Sequence, residues 1–308
     1  MSDAINTQHG KLILDSHKLS YHMDRVNAWE QGERIAPVSV DMALTRACGA
    51  MCSFCYAMMQ ESQKLFSIKE DHALNLLDDF AEVGIRSVSL VSDGESTLAK
   101  PYVPFIQHAK KIGIDVANAT NAWDWDPEKI EQVLPYLTWV RFTVATGRPE
   151  SYAKIMYKGP EHTEVFDRAM RNISYAVELK RKKNLDVTLG IQMVLTPDLK
   201  DEIIDFAQLG LDLGVDYAVI KHCSDDEQGT LGIDYSLYEG MHDLMRTAEK
   251  MSNEQTKIIV KWDKIKDGDK PSYRRHFGPQ FLLQISGSGF VAPSGGFFNA
   301  KHSKLHIG

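Results

Sequence analysis

The sequence has few cysteines, no surplus of basic residues and no long apolar run, and each of these absences excludes a class of protein. Four cysteines among 308 residues, three of them clustered, do not build a disulfide scaffold and predict a reducing compartment. A formal net charge of −7 argues against a nucleic-acid backbone as the main partner. No apolar segment approaches the roughly 20 residues of a membrane span, and the N-terminus lacks a signal-peptide pattern. We therefore expect a cytoplasmic protein with no nucleic-acid and no membrane partner.

The remaining composition is that of an ordinary globular protein, with 43% hydrophobic and 25% charged residues. Short β-rich runs alternate with amphipathic helical runs from residue 37 to about 222, which is typical of a parallel sheet covered by helices. Six such units fit a partial (β/α)6 barrel, and periodicity alone equally allows a doubly wound sheet. The six predicted strands are Val38–Met42, Ser87–Val91, Asp115–Ala119, Trp139–Val144, Val187–Leu195 and Tyr217–Lys221.

Three of the four cysteines form the motif Cys-x3-Cys-x2-Cys at Cys48, Cys52 and Cys55, after the first predicted strand. Three thiolates on one short loop can hold three irons of a [4Fe–4S] cluster, because soft sulfur ligands suit such clusters. The fourth iron is then open to a small molecule. The motif alone leaves two alternatives open: a zinc site, which normally needs four ligands, or a disulfide, although three close cysteines do not pair off evenly.

The segment 44–56 resembles the signature loop of radical S-adenosylmethionine (SAM) enzymes, in the branch that includes molybdenum-cofactor-synthesis and SPASM/twitch proteins. The resemblance implies that the three cysteines ligate the cluster and that the open iron chelates SAM. It places Phe54 and Tyr56 at the cofactor, beside the last cysteine. In that family the reduced cluster cleaves SAM to a 5′-deoxyadenosyl radical, which takes a hydrogen atom from a substrate. The implied fold is α/β: a partial (β/α)6 barrel.

Polar residues follow several predicted strands, at the end of a parallel barrel where chemistry gathers. After the second strand, the run 92–95 resembles the Gly-Gly-Glu motif that binds the methionine amino group of SAM, with an aspartate replacing the first glycine. After the third strand, the run 118–122 resembles a Thr-Asn-Gly segment that faces SAM. Each run taken alone also fits an ordinary turn or a buried strand. Together they imply a SAM site formed by Asp93, Gly94, Glu95, Thr120, Asn121, Thr143 and Gln192.

The fourth cysteine, Cys223, follows the sixth predicted strand, at the part of the barrel that faces the substrate. A thiol opposite the deoxyadenosyl group can return a hydrogen atom to a substrate radical, which is similar to what radical SAM epimerases do. A buried and inert cysteine is the commoner fate of a free cysteine, so both roles stay open. His222 and the acidic run 225–227 fit either a polar substrate site or a solvated loop.

Three regions are predicted along the chain: an N-terminal arm at 1–36, the barrel at 37–252 and a C-terminal extension at 253–308. The extension contains a glycine hairpin at 281–293 that resembles the opening of SPASM and twitch extensions. It carries Ser294 where a cluster-binding cysteine is expected. Either the extension has lost its cluster or the chain stops before the ligands, and on these residues we predict no auxiliary cluster.

These observations predict a radical SAM enzyme that abstracts hydrogen from a small polar metabolite, such as a sugar, aminocyclitol or nucleotide. A flavodoxin- or ferredoxin-type reductant is the expected electron donor. Epimerisation, dehydration, decarboxylation and dehydrogenation all begin with that abstraction, and only Cys223 favours epimerisation. Two alternatives remain: a maturase that modifies a ribosomally made peptide, against which the short N-terminal arm counts, and a non-catalytic iron–sulfur redox or sensor protein.

Overall fold

The computed structural model describes residues 4–7, 10–13, 18–55, 66–226, 228–268 and 274–308. The strands in these residues are β1 (Ala4–Thr7), β2 (Gly10–Ile13), β3 (Ser39–Met42), β4 (Ser87–Leu90), β5 (Asp115–Thr120), β6 (Leu137–Thr143), β7 (Thr188–Leu195), β8 (Tyr217–His222), β9 (Lys257–Val260), β10 (Leu282–Ile285) and β11 (Val291–Ala292). The α-helices are α1 (Met23–Glu30), α2 (Glu70–Glu82), α3 (Tyr102–Lys111), α4 (Pro127–Val133), α5 (Pro149–Met156), α6 (Glu164–Lys183), α7 (Ile203–Leu213), α8 (His242–Lys250) and α9 (Trp262–Asp267). Short 3-10 helices lie at Lys18–Tyr21, Ser96–Leu98, Leu134–Tyr136, Pro197–Glu202, Tyr235–Met241, Gly278–Gln280, Gly295–Phe297 and Ala300–Leu305.

A nine-stranded sheet forms the centre of the fold, with the order β11-β10-β3-β4-β5-β6-β7-β8-β9. Neighbouring strands from β10 to β9 run parallel, and β11 turns back antiparallel to β10. This arrangement confirms the predicted α/β fold, including the C-terminal hairpin. Beyond the six predicted barrel strands, β9 and the hairpin strand β10 extend the sheet at its two edges. The proposed boundaries near residues 36 and 252 stay a prediction.

The local elements follow the sequence signals closely. Each of the six predicted strands corresponds to one of β3 to β8, with ends that differ by at most two residues. Helix α4 begins with Pro127 at its first position, a residue typical of helix starts, and the Asp126 carboxylate accepts the Lys129 N–H at 2.9 Å. Such a cap contributes about 1 kcal/mol. Helix α5 and the β1–β2 pair were not predicted.

In the described part of the chain, no helix has both the length and the apolarity that a bilayer crossing requires.

The two faces of the sheet carry different side chains, because alternate residues of a strand point to opposite faces. One face consists of apolar residues such as Val40, Val88 and Val116, which pair in register and are fully buried in the main core under the helices. The opposite face, which we call the inner face, is more polar. It is formed by Ser39, Asp41, Ser87, Ser89, Ala117, Ala119, Trp139, Arg141, Thr143, Gly190, Gln192, Tyr217, Val219 and Lys221.

Gly190 is a position of the inner face at which a side chain does not fit. The ring of Tyr217 from the neighbouring strand lies across it, and an added Cβ would overlap with the ring atoms. Tyr217 is itself buried in a small cluster with Val219 and Ile259, so the ring has little room to move.

We expect Gly190→Ala to lower the free energy of unfolding by about 1–3 kcal/mol, as overpacking of a filled site does. Urea denaturation measures the change. The matched control is Gly240→Ala, at an exposed glycine with no atom within 4 Å of the added Cβ, which should be neutral or slightly stabilising. Equal effects of the two substitutions would contradict the tight approach of Tyr217.

Candidate active site

The cysteine loop follows β3 and is held on both sides by backbone hydrogen bonds. At its start, the N–H of Arg46 donates to the carbonyl oxygen of Phe66 at 2.9 Å. Further along, the N–H of Met51 donates to the carbonyl oxygen of Met156 at 2.9 Å, which fastens the loop to the last residue of α5. Two separate segments, the one at Phe66 and the end of α5, therefore hold the loop that carries the cysteines.

The three cysteines of this loop are free thiols, so the disulfide alternative is not realised in the structure. Burial, and then the neighbouring Cys55, raise the pKa of the Cys52 thiol. Coordination to iron reverses such a shift, because a bound thiolate is deprotonated by the charge of the metal. Within the described ranges, no three His, Cys, Asp or Glu side chains converge to hold one metal ion. A cluster does not need such convergence, since each thiolate binds a different iron.

Glu95 is a buried carboxylate at the base of this loop, 3% exposed. Its Oε1 accepts the hydroxyl of Thr97 at 2.8 Å, and its Oε2 accepts the N–H of Asn121 at 2.8 Å. Burial raises the pKa of Glu95. Loss of solvent around the Cys48 sulfur, and then the charge of Glu95, raise the pKa of that thiol to about 12.

The surroundings of Glu95 suit a positively charged ligand. No lysine, arginine or histidine of the described residues forms an ion pair with it. A buried anion is costly without a compensating positive charge. The ammonium group of SAM would supply that charge beside the cysteine loop, so the residues present fit both a cluster and SAM.

Asp93 connects three segments of the chain. Its Oδ2 pairs with Nε of Arg46 from the cysteine loop at 3.0 Å, and its Oδ1 accepts the N–H of Gly287 at 2.6 Å. Gly287 lies in the turn between β10 and β11, 194 positions along the chain. The hydroxyl of Ser92 donates to the same carboxylate at 3.2 Å. The carboxylate of Asp93 is therefore engaged with protein groups, and its predicted role toward SAM stays a prediction.

Two glycines allow these segments to approach each other closely. Gly94 has a φ of +104°, which favours glycine, and an added Cβ would overlap with the carbonyl oxygen of Thr45. A Cβ at Gly287 would lie 2.6 Å from the carbonyl carbon of the same Thr45. The cysteine loop, the loop after β4 and the hairpin turn therefore pack backbone against backbone.

The loop after β5 brings another predicted residue to the cysteines. The amide Nδ2 of Asn121 lies 3.9 Å from Sγ of Cys48, and its Oδ1 accepts the N–H of Trp123 at 2.8 Å. Thr120 is buried, and its hydroxyl accepts the N–H of Ala122 at 3.0 Å. The structure thus gathers Asn121, Glu95 and Cys48 at one place, while Thr120 shapes the turn beside them.

The other predicted cofactor residues lie farther along the sheet or outside the described residues. Thr143 and Gln192 are register partners on the inner face. Phe54 is partly buried against the main core. Tyr56 falls outside the described residues. The cofactor roles assigned to these residues stay predictions.

Cys223 follows directly after β8, and its N–H donates to the carbonyl oxygen of Leu195 at 2.9 Å. It is fully buried. It lies two residues after Lys221, and alternate residues of a strand share a face, so it continues the row of inner-face residues of β8. Loss of solvent, and then the charge of Asp225, raise the pKa of Cys223 to about 11. The group is therefore a protonated thiol near neutral pH.

The polar residues around Cys223 mostly bond to one another. Nδ1 of His222 lies 2.6 Å from the carbonyl oxygen of Cys223. Asp225 and Asp226 accept hydrogen bonds from N–H groups of their own loop, including that of Thr230 at 2.9 Å. These two carboxylates therefore serve to hold the conformation of their own loop. Glu227 lies outside the described residues.

Sequence reasoning missed Arg46 and Gly287 as partners of Asp93. The replacement of a motif glycine by aspartate was a usable signal, since a buried carboxylate needs a cation or several donors. Nothing in the local pattern indicated that the donor would come from the C-terminal hairpin.

The sequence matches the Radical SAM superfamily over residues 42–210, which is more than half of the chain. The chain therefore belongs to the radical SAM superfamily and is a radical SAM enzyme. The cofactors of this family are a [4Fe–4S] cluster and SAM, and the observed thiols and buried carboxylate agree with both. No curated protein matches the chain.

Several solved structures share the fold. Streptococcus suis SuiB bound to S-adenosylmethionine has a TM-score of 0.67 and 15% identity, over 92% of this chain and 66% of that chain. SuiB bound to precursor peptide SuiA has a TM-score of 0.64 and 16% identity, over 93% and 66%. The protein anSMEcpe with bound AdoMet and Kp18Cys peptide has a TM-score of 0.60 and 16% identity, over 88% and 77%. The chain spans just under two thirds of the length of SuiB.

We expect Asp93→Ala to lower the free energy of unfolding by about 3 kcal/mol, because it removes a buried ion-pair partner and the acceptor of a buried N–H. Thermal unfolding measures the effect. The control is Asp24→Ala, which removes the exposed ion pair with Arg86 and should have a much smaller effect, because solvent screens that pair. A loss at Asp93 no larger than that of the control would show that the three-segment junction contributes little.

Proposed function

We propose that this radical SAM enzyme modifies a peptide substrate. The observation that supports this most directly is the similarity, over about nine tenths of the chain, to SuiB solved with precursor peptide SuiA and to anSMEcpe solved with Kp18Cys peptide. This proposal takes the place of the small polar metabolite expected from the sequence, which becomes the alternative. We further propose that the region after residue 252 is a SPASM/twitch-type extension.

The cofactor roles are part of the same proposal. Cys48, Cys52 and Cys55 hold the cluster, and Glu95 seats the ammonium group of SAM. When bound, the reduced cluster and SAM supply a 5′-deoxyadenosyl radical, with electrons from a flavodoxin- or ferredoxin-type reductant. The protein's contribution is orientation: Glu95 is fixed by two hydrogen-bonding partners before the ligand arrives, so little ordering remains to be done on binding.

The barrel also provides a place for the substrate. The inner face is polar and lies opposite the apolar face that the helices cover. A substrate held there lies on the same face as Thr143 and Gln192. Exclusion of water from this side protects reactive intermediates from side reactions.

Isotope transfer separates the two classes of substrate. Anaerobically reconstituted, reduced protein is incubated with SAM and either a fully deuterated short-peptide library or deuterated sugars and nucleotides. We expect deuterium in 5′-deoxyadenosine only with the peptides, because abstraction moves one substrate hydrogen to that product. The Cys52→Ala protein is the control and should form no 5′-deoxyadenosine. Deuterium from the metabolites alone would reject the peptide proposal.

Cys223 is proposed as a hydrogen donor, which favours epimerisation within this function. Its burial, its parity with the inner face and its protonated state support the role. In the step, the S–H bond breaks as a C–H bond forms on the substrate radical, on the face opposite to abstraction. The external reductant and a proton then restore the thiol.

We expect Cys223→Ala to form 5′-deoxyadenosine with a substrate peptide but no inverted residue, since no hydrogen is returned on the opposite face. In D2O the unsubstituted protein should give product with one deuterium at the inverted carbon, because the thiol proton exchanges with solvent. Mass spectrometry and chiral amino-acid analysis measure both. Inverted product from Cys223→Ala would remove the donor role.

A further inference from the structure

Two basic side chains lie on the inner face, Arg141 of β6 and Lys221 of β8, and neither has a role in the proposed radical chemistry. Arg141 lies opposite Gly190 of β7, which in turn lies opposite Tyr217 of β8. Lys221 is four residues after Tyr217 on the same strand, and residues at even spacing share a face. Both cations therefore share one face of the barrel.

Neither cation has an anionic partner among the residues described. The guanidinium of Arg141 lies over the ring of Trp139, 5.6 Å from its centroid, and its Nε is buried without a hydrogen-bond partner. The carboxylates that form ion pairs in the described ranges pair with other residues. A buried guanidinium donor left unpaired costs free energy, so this arrangement is not explained by stability.

The electrostatic environment is positive as well. Burial, and then the charge of Arg141, lower the pKa of Lys221 to about 7. The charges of Lys264 and Lys261 act in the same direction. Groups with pKa values shifted by burial and a specific charge are frequent at functional sites. An anion bound between Arg141 and Lys221 would compensate this positive charge.

The surroundings of Arg141 hold its planar group ready for a ligand. Trp139, two residues earlier on the same face, supports the guanidinium through the ring contact. Gly190 has no side chain, and the ring of Tyr217 from the next strand fills the space over it, beside Arg141. A guanidinium presents parallel N–H donors that match the two oxygens of a carboxylate.

We propose that Arg141 and Lys221 form a subsite for a carboxylate of the substrate, supplied by an aspartate or glutamate side chain or by the C-terminus of a peptide. The inference rests on the proposed peptide function and specifies the chemistry of its substrate. The register row of Thr143 and Gln192 lies between those of Arg141 and Lys221. A carboxylate held by both cations therefore places the adjoining part of the substrate beside the proposed cofactor site.

Calorimetric titration of the anaerobically reconstituted, SAM-loaded protein tests the subsite with four probes. These are Ac-Gly-Glu-Gly-NH2, the neutral Ac-Gly-Gln-Gly-NH2, the C-terminal acid Ac-Gly-Gln-Gly-OH, and glutarate, which has no peptide bond. We expect at least one acidic peptide to bind about tenfold or more tightly than the neutral peptide, as a charge-assisted hydrogen bond provides. The first and third probes distinguish a side-chain carboxylate from a C-terminal one.

Substitution identifies the groups responsible. Arg141→Gln and Lys221→Gln should each reduce the preference for the acidic peptide at least severalfold, and Arg141→Lys should restore part of it. Lys200→Gln, at an exposed position away from the inner face, is the matched control and should keep the preference. Thermal unfolding of each variant checks that the fold is retained.

The outcomes separate this inference from the function on which it rests. Equal binding of acidic and neutral peptides, or a preference that survives both substitutions, overturns the subsite while leaving a peptide substrate standing. If glutarate binding depends on both basic residues, the anion site is supported. If, in addition, the acidic peptides bind no more tightly than glutarate, the peptide function is rejected. The substitutions could also lower the affinity for SAM by the same factor as the preference for the acidic over the neutral peptide. That result would assign Arg141 and Lys221 to the cofactor and overturn the proposal.

Discussion

The buried carboxylate of Asp93 joins parts of the chain on which the active site depends. It pairs with Arg46 of the cysteine loop and accepts the N–H of Gly287 in the C-terminal hairpin turn. A carboxylate that is 2% exposed is tolerated only with such partners, so each contact stabilises the others. Gly94 follows directly and permits the close backbone approach to Thr45. The cysteine loop, the loop after β4 and the hairpin turn therefore pack together as one unit.

The sheet separates stability from chemistry. The face under the helices is apolar and buried, as Val40 and Val116 illustrate, and supplies the core. The inner face carries cations, amides and hydroxyls instead, which contribute little to a core and can bind ligands. Arg141 and Lys221 make the difference clearest, because the buried Nε of Arg141 has no hydrogen-bond partner, and burial and the charge of Arg141 lower the pKa of Lys221. Such local costs are expected where a site is kept ready for a ligand.

The sequence predicted those features that have a local pattern. Strand β7 was predicted to within one residue because an apolar run of this length reports directly on a buried parallel strand. Helix α5 was missed because it is short and begins at Pro149, a residue that also marks loops. The pairing of β10 with β3 left no local trace, since Gln284 and Asp41 are 243 residues apart. Within the site, the spacing of the cysteines predicted a metal-binding loop. Arg141 gave no such signal, because a single basic residue within a strand pattern does not indicate a binding site.

The dependence of the cysteine loop on a hairpin made much later has a consequence for biogenesis. Translation proceeds at about 5–20 residues per second, so roughly 10–40 s separate the synthesis of Asp93 from that of Gly287, 194 residues downstream. During this interval Asp93 cannot receive the N–H of Gly287, so the junction of the three segments stays incomplete. The topology therefore makes closure of this junction one of the late steps in folding of the chain.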